Sequence, residues 1–312
     1  MDGNIPVLYV RAPNIPAAWE TAVLEVWHFG CDVKTEYDKP EDPASKDATV
    51  IITVDDPFAK PRIHKNFPGG PTELESYRQE VVDGIHNHWI DPANGKWTYT
   101  YNERLFAYSP CENLKDPNSP RPFIPVNQID FIINNLAKSG HTRRAQGVTY
   151  MPSCDPKTSD PPCLQRVWCR MLKDDNGQWV LNMNTHWRSR DLYKAWFMNV
   201  YALTDLMKKI AEGVSAKIGQ PVKVGRYVDV SDSLHIYGSY FGEAVPEIQK
   251  MIESPLYPQR GRYGITQIEQ ERSNDAFYKR TWSTDHPAFS IMTEEAKQNL
   301  ATNPDYYSQG DK

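Results

Sequence analysis

Between Asp191 and Val214 the apolar residues Leu192, Trp196, Leu203, Met207, Ile210 and Val214 recur at intervals of three, four or seven. That is the period of an α-helix, and at about 3.6 residues per turn it continues for more than five turns. A helix of this length, apolar along one stripe, is held chiefly by the surface it packs against. The string RVWCRMLKDDNGQWVLNMNTHW just upstream offers such a surface. Its two apolar runs flank Asp174-Asp175-Asn176-Gly177, and the Asn-Gly step favours a tight hairpin turn. Two antiparallel strands and a long helix to back them imply an α+β chain.

Other segments fit that frame. AAWETAVLEVWHFG carries Trp19, Val23, Val26 and Trp27 at helical spacing before Gly30, which predicts a packing helix. The polar loop KTEYDKPEDPASKD follows, a candidate flap, and then ATVIITV, a β-branched run expected as a buried strand. PTELESYRQEVVDGIH places Leu74, Tyr77 and Val81 at helical intervals, predicting a helix from near Thr72 with Glu73 in its first turn. Residues 109–127 are rich in turn formers and are expected as a surface insertion, whereas QIDFIINNLAKSG predicts an amphipathic helix ending at Gly140. PVKVGRYVDVSDSLHIYGSYF is expected as short strands. One catalytic domain over residues 1–312 is expected, with a divergent part at 1–70 and a polar extension from about 250, where Trp282, Phe289 and Ile291 are possible anchors.

Composition narrows the function. The chain has 312 residues, 39% of them hydrophobic, and no apolar run approaches the ~18 residues a membrane span needs. MDGNIPVLYVRAPNIP lacks the basic start and apolar block of a secretory signal, so a cytoplasmic location is expected. A net charge of −5 argues against a nucleic-acid partner yet leaves room for a basic pocket around one phosphate. Cys31, Cys111, Cys154, Cys163 and Cys169 are an odd number with no CxxC pair, so neither a disulfide framework nor a zinc ribbon is expected and at least one thiol is free. His86-Asn87-His88 lacks neighbouring carboxylates or cysteines and is read as helix-end polarity, so no metal is expected.

Cys163 lies in DPPCLQ, after two prolines and just before a strand, a rigidly presented position. Upstream, HTRRAQ holds Arg143 and Arg144. Downstream come WRSRD at residues 187–191, Asn199 eight positions after the aspartate, and LHIY at residues 234–237. A double arginine, a Pro-Cys about twenty residues on, Arg-Ser-x-Asp, the spaced asparagine and His-x-Tyr form an ordered set over roughly residues 70–245. It resembles the thymidylate synthase family, which includes the pyrimidine nucleotide hydroxymethylases.

The resemblance implies a thymidylate synthase-like α+β fold: a mixed, bulged sheet backed by helices, two such sheets stacking in a homodimer with shared active sites. It implies Cys163 as the nucleophile toward carbon 6 of a pyrimidine nucleoside monophosphate, so that carbon 5 can attack a one-carbon donor. The implied co-substrate is 5,10-methylenetetrahydrofolate. Arg188 would favour the thiolate, as a cation beside a thiol does, and would bind phosphate together with Ser189 and with Arg143 and Arg144 from the second subunit. Asn199 would read the base, its amide matching uracil and hence dUMP, and His235 and Tyr237 would hold the sugar hydroxyl. Asp191 would hold the pterin ring, Glu73 would order water and assist proton transfers, and Tyr101 of YTYNERL would lie near the cysteine. Each residue alone has a plainer reading: Asp191 a helix cap, Glu73 a helix-dipole partner, Asn199 a paired core amide, the two arginines surface charge.

Three departures stand out. Leu164 follows the nucleophile where many bacterial synthases carry histidine. The family's N-terminal phosphate loop has no match, leaving Lys34, Lys39 or Lys46 as substitutes, and NPDYYSQGDK replaces an apolar tail. The expected function is methylation of dUMP to dTMP. The alternatives are 5-hydroxymethylation of dUMP, dCMP or CMP, with water in place of hydride at the same adduct, and a non-catalytic nucleotide-binding member of the fold.

Overall fold

Along VLYVRA, Val7, Tyr9 and Arg11 are exposed while Leu8, Val10 and Ala12 are buried, the period-two pattern of a strand with one covered face. Asn14 then accepts from the Ala17 N–H at 3.1 Å, and Pro16 lies in the first turn, so the helix that follows is capped from its start. The computed structural model describes residues 3–109, 124–253, 281–282, 294 and 298. Along it run β1 (Val7–Ala12), α1 (Ile15–Phe29), β2 (Cys31–Val33), β3 (Ser45–Val54), β4 (Ile63–His64), α2 (Gly70–Asp83), α3 (Tyr101–Phe106), α4 (Gln128–Lys138), β5 (Gln146–Val148), β6 (Leu164–Lys173), β7 (Trp179–Trp187), β8 (Arg190–Asp191), α5 (Ala195–Ile218), β9 (Val222–Ile236), α6 (Phe241–Glu253) and β10 (Thr281–Trp282). Among the described residues no helix is long and apolar enough to cross a membrane.

The chain forms two compact units, one of Met1–Ser76, Ser189–Tyr201 and Tyr227–Lys312, the other of Tyr77–Arg188 and Ala202–Arg226. In the first, β3 runs parallel to β1 and antiparallel to β2 and β9, while β8 runs parallel to β9. The β3–β9 register slips between Ala48 and Val50, a bulge in a mixed sheet. Helix α1 packs on β1 and β3. It buries Trp19, whose indole N–H donates to the Leu192 carbonyl at 2.9 Å and whose ring meets the edge of Phe197. Below it His64 Nε2 lies 2.9 Å from Glu20, both fully buried. The Asn66 N–H donates to His64 Nδ1, so Nε2 carries the proton that Glu20 accepts.

In the second unit β6 lies between β5 and β7, both antiparallel to it. The hairpin expected from Asn176-Gly177 forms, with Lys173 opposite Trp179. Asp174 Oδ1 accepts from the N–H groups of Asn176 and Gln178, and Gly177 takes a positive φ of 75°, which its missing side chain permits. Gly213 of α5 lets Ile133 of α4 approach: a β-carbon there would meet Ile133 Cδ1 at 2.7 Å.

Several expectations change. VKVGRYVDVSDSLHI is one fifteen-residue strand, β9, rather than short pieces. Its apparent breaks are packing features. A β-carbon on Gly225 would meet Val180 at 2.6 Å, and the buried Asp229 and Ser231 serve the Arg190 side chain. The long helix starts at Ala195, not Asp191, and runs on to Ile218. Helix α4 ends at Lys138, and Gly140 instead makes room for Trp179, 2.8 Å from where its β-carbon would stand. Helix α6 was hidden by Pro246 and its charges, although Ala244, Ile248 and Met251 are buried at helical spacing. Residues 110–123 of the expected insertion, and Phe289 and Ile291, lie outside the described residues; Trp282 falls in β10, opposite Ile63 of β4. Cys154 is disulfide-bonded, one bridge that the cysteine count did not announce, while Cys31, Cys163 and Cys169 are free.

Candidate active site

In the second unit the end of the hairpin presents Cys163. Leu164 opens β6 opposite Trp187, the last residue of β7, so Arg188 arrives beside residues 160–163. The Arg188 N–H donates to the Cys163 carbonyl at 2.9 Å. Its guanidinium donates to the carbonyls of Pro162 at 3.3 Å and Pro161 at 2.6 Å, and reaches Asp160 at 3.4 Å. These bonds tie Arg188 to the backbone that carries the half-buried Cys163; the Pro162 carbonyl also accepts from the Gln165 side-chain amide at 2.7 Å. Tyr101, first residue of α3, accepts from the Leu164 N–H at 3.3 Å and meets the edge of the Trp187 indole.

Tyr99 is a site residue the sequence did not single out. Its ring is 5.7 Å from that of Tyr101, to which its phenol is hydrogen-bonded. Burial first, then the negative ends of Tyr101, Cys163 and Asp160, push Tyr99 far above the ordinary tyrosine range, so it stays a donor. The loop leading to Cys163 is anchored by Arg104, which grips Asp155 with two bonds of 2.8 and 3.1 Å and also donates to the Thr149 carbonyl. Asp155 accepts from the Met151 N–H at 2.6 Å in return. Arg143 and Arg144 are exposed in the turn before β5, and among the described residues neither guanidinium has an acidic partner.

The first unit carries the other candidates. Asp191 of β8 is aligned with His235 of β9, and the Leu192 N–H donates to the His235 carbonyl at 2.7 Å. The Asp191 carboxylate accepts from the N–H groups of Tyr193 and Lys194, so it closes the turn that leads to α5 rather than capping that helix, which starts at Ala195. Burial raises it to about 6 against these bonds and the Lys194 charge. His235 is driven down to about 4 by burial. Its Nδ1 lies 3.3 Å from Ser233 Oγ, its Nε2 is buried without a partner among the described residues, and its ring is 4.4 Å from that of Tyr237. Asn199 is buried on α5. Ser189 is half-buried, and Glu73 is exposed in the first turn of α2. Between Ser189 and Asp191 the overlooked Arg190 is buried and ion-paired with Asp229. The fold thus gathers Cys163, Arg188 and Tyr101 in one unit, and Asp191, His235 and Tyr237 in the other.

The lysines of the polar loop are largely engaged. Lys34 donates to the carbonyls of Lys39 and Asp42, and Lys46 pairs with Asp32 at 2.7 Å, which leaves Lys39 exposed. The loop is tied to LHIY: the Gly238 N–H donates to Ser45, and a β-carbon on Gly238 would overlap the Pro43 carbonyl. Gly238→Ala is therefore expected to cost about 1–3 kcal/mol in urea unfolding. Gly242→Ala, where a β-carbon meets nothing within 4 Å, serves as the near-neutral control. His86 is stacked on Trp89 and bonded to Glu80 at 2.8 Å, and among the described residues no group of three potential ligands could hold a metal.

No family model matches the chain. A "Putative thymidylate synthase" of Methanothermobacter marburgensis is 30% identical over 183 residues, covering 59% of this chain and 67% of the relative. Proteins of the same description from Methanocaldococcus jannaschii and Methanosarcina mazei are 28% and 26% identical over 74% and 73% of this chain, and 91% and 88% of their own lengths. Among solved structures, thermostable thymidylate synthase A from Bacillus subtilis has the same fold, with a TM-score of 0.53 at 13% identity over 76% of this chain and 84% of that one. By these relatives and by its fold, the chain belongs to the thymidylate synthase family.

Proposed function

We propose that the chain methylates carbon 5 of dUMP to give dTMP through a covalent bond between Cys163 and carbon 6. The observation that carries this reading is the grip of Arg188 on residues 160–163, where it bonds the carbonyls of Pro161, Pro162 and Cys163 and the Asp160 carboxylate around a cysteine that is in no disulfide. Cys163 adds to carbon 6 as a thiolate, which the neighbouring charge favours. Arg188 and Ser189 bind the phosphate, Asn199 reads the uracil edge, and His235 and Tyr237 hold the sugar hydroxyl. Tyr101, fixed by the Leu164 N–H and by Tyr99, and Glu73 serve the proton transfers at the base.

5,10-Methylenetetrahydrofolate supplies the carbon and the hydride. A carboxylate has about four lone-pair directions, so Asp191 keeps acceptor capacity for the N–H groups of a pterin beyond the backbone donors it already serves. The active form is a homodimer, a reading supported by the uncovered apolar face of Val7, Tyr9 and Ile51, which are 72%, 54% and 37% exposed. Arg143 and Arg144 then reach the phosphate of the second subunit.

Hydroxymethylation of dUMP, dCMP or CMP is the second reading. Leu164, fully buried beside the nucleophile, stands where many bacterial synthases carry histidine, so the water network over the base is built differently from theirs. Incubating the protein with each nucleotide and methylenetetrahydrofolate separates the two. Methylated product with dihydrofolate supports the synthase, hydroxymethylated product with tetrahydrofolate supports the hydroxymethylase, and no turnover of any nucleotide overturns both.

A further inference from the structure

We infer that Asp47 and Ser233 are positioning residues that fix the tautomer of His235, leaving its Nε2 as an acceptor for a hydrogen-bond donor of the ligand. Asp47 of β3 lies opposite His235 of β9 in the antiparallel register. The Ser233 hydroxyl donates to Asp47 Oδ2 at 2.8 Å. A serine has a single hydroxyl proton, so the Ser233 oxygen meets His235 Nδ1, 3.3 Å away, only as an acceptor. The direction holds for an ionised Asp47, whose oxygens can only accept; the Ser233 hydroxyl and the Ala48 N–H favour that anion, while burial opposes it. Nδ1 therefore carries the proton.

Burial keeps the ring neutral near pH 7, so Nε2 carries a lone pair. That nitrogen is buried and has no partner among the described residues. An unfilled buried acceptor is costly, and a bound donor relieves the cost. A ligand O–H or N–H can do so; a carbonyl or unprotonated phosphate oxygen cannot. The chemistry selected is thus a hydrogen-bond donor, of which a sugar hydroxyl is one. Identifying it as the 3′-hydroxyl, the one free sugar hydroxyl of dUMP, rests on the nucleotide reading above, whereas the tautomer does not.

Two measurements test this on the full chain. In 15N-histidine-labelled protein, long-range 1H–15N correlation at neutral pH should show His235 protonated at Nδ1, with the signal assigned by its loss in His235→Asn. Ser233→Ala should give a mixture containing the Nε2–H form, and Ser233→Thr, which keeps the hydroxyl, should restore the parent pattern. A parent protonated at Nε2, or a Ser233→Ala spectrum like the parent's, overturns the relay. By calorimetry, the parent should prefer dUMP over 2′,3′-dideoxy-UMP by at least about tenfold, and Ser233→Ala should cut that ratio to under about threefold. Equal parent affinity for both nucleotides overturns the sugar contact. Failure to bind either one overturns the dUMP reading, and the tautomer spectrum then decides the relay by itself.

Discussion

Cys163→Ala is expected to abolish the covalent adduct formed with 5-fluoro-dUMP and methylenetetrahydrofolate, and to lower turnover by at least about 10⁴-fold. The adduct is read by denaturing mass spectrometry as added mass on the protein. Cys31→Ser should leave it intact: Cys31 gives its thiol proton to the Asp47 carbonyl and has no basic partner described near it. Arg188→Ala should slow adduct formation as well, since it removes the bonds that hold the Pro161 and Pro162 carbonyls next to Cys163. Adduct persisting at full yield in Cys163→Ala would sink the proposed nucleophile.

Asp155→Ala is expected to destabilise the protein by about 3 kcal/mol, because it strips a buried cation of its two-bond partner and leaves it, among the described residues, only Glu103 Oε2 at 3.5 Å as an acidic partner. Arg104 and Asp155 are both almost wholly buried, and the pair fixes the Thr149 carbonyl and the Met151 N–H. The lost midpoint in urea should come with slower adduct formation, because these bonds anchor the segment that leads to Cys163. Replacing both partners by apolar residues, Arg104→Met with Asp155→Leu, should cost less than Asp155→Ala alone. A loss below about 1 kcal/mol for Asp155→Ala would show that the pair does not hold the loop.

The sequence was most legible where a period ran unbroken. The helix of Leu192 to Val214 and the hairpin around Gly177 are such places, and both form with small shifts at their ends. Legibility failed where a local rule was overridden from a distance. Gly225, Asp229 and Ser231 look like strand breakers until β7 and Arg190 are in place to use them. VLYVRA is too short to stand out, although its alternation is regular. The candidate nucleophile and its arginine were visible because a motif order carried them. Tyr99, Asp160, Arg104 and Asp155 were not, since their roles arise only when the hairpin and the turn before α3 bring residues 51 or 28 positions apart into bonding distance.

The three free thiols differ in a way that matters for chemical probing. Cys169 is fully enclosed in β6, and burial pushes it up to about 12, so it presents almost no thiolate to an alkylating reagent at neutral pH. A maleimide or iodoacetamide footprint therefore reads Cys31 and Cys163 alone among them, and a Cys31→Ser background leaves Cys163 as the reactive one of the three. In that background the loss of labelling on adding a nucleotide becomes an occupancy gauge, usable without folate, without turnover and without knowing which one-carbon product the protein makes.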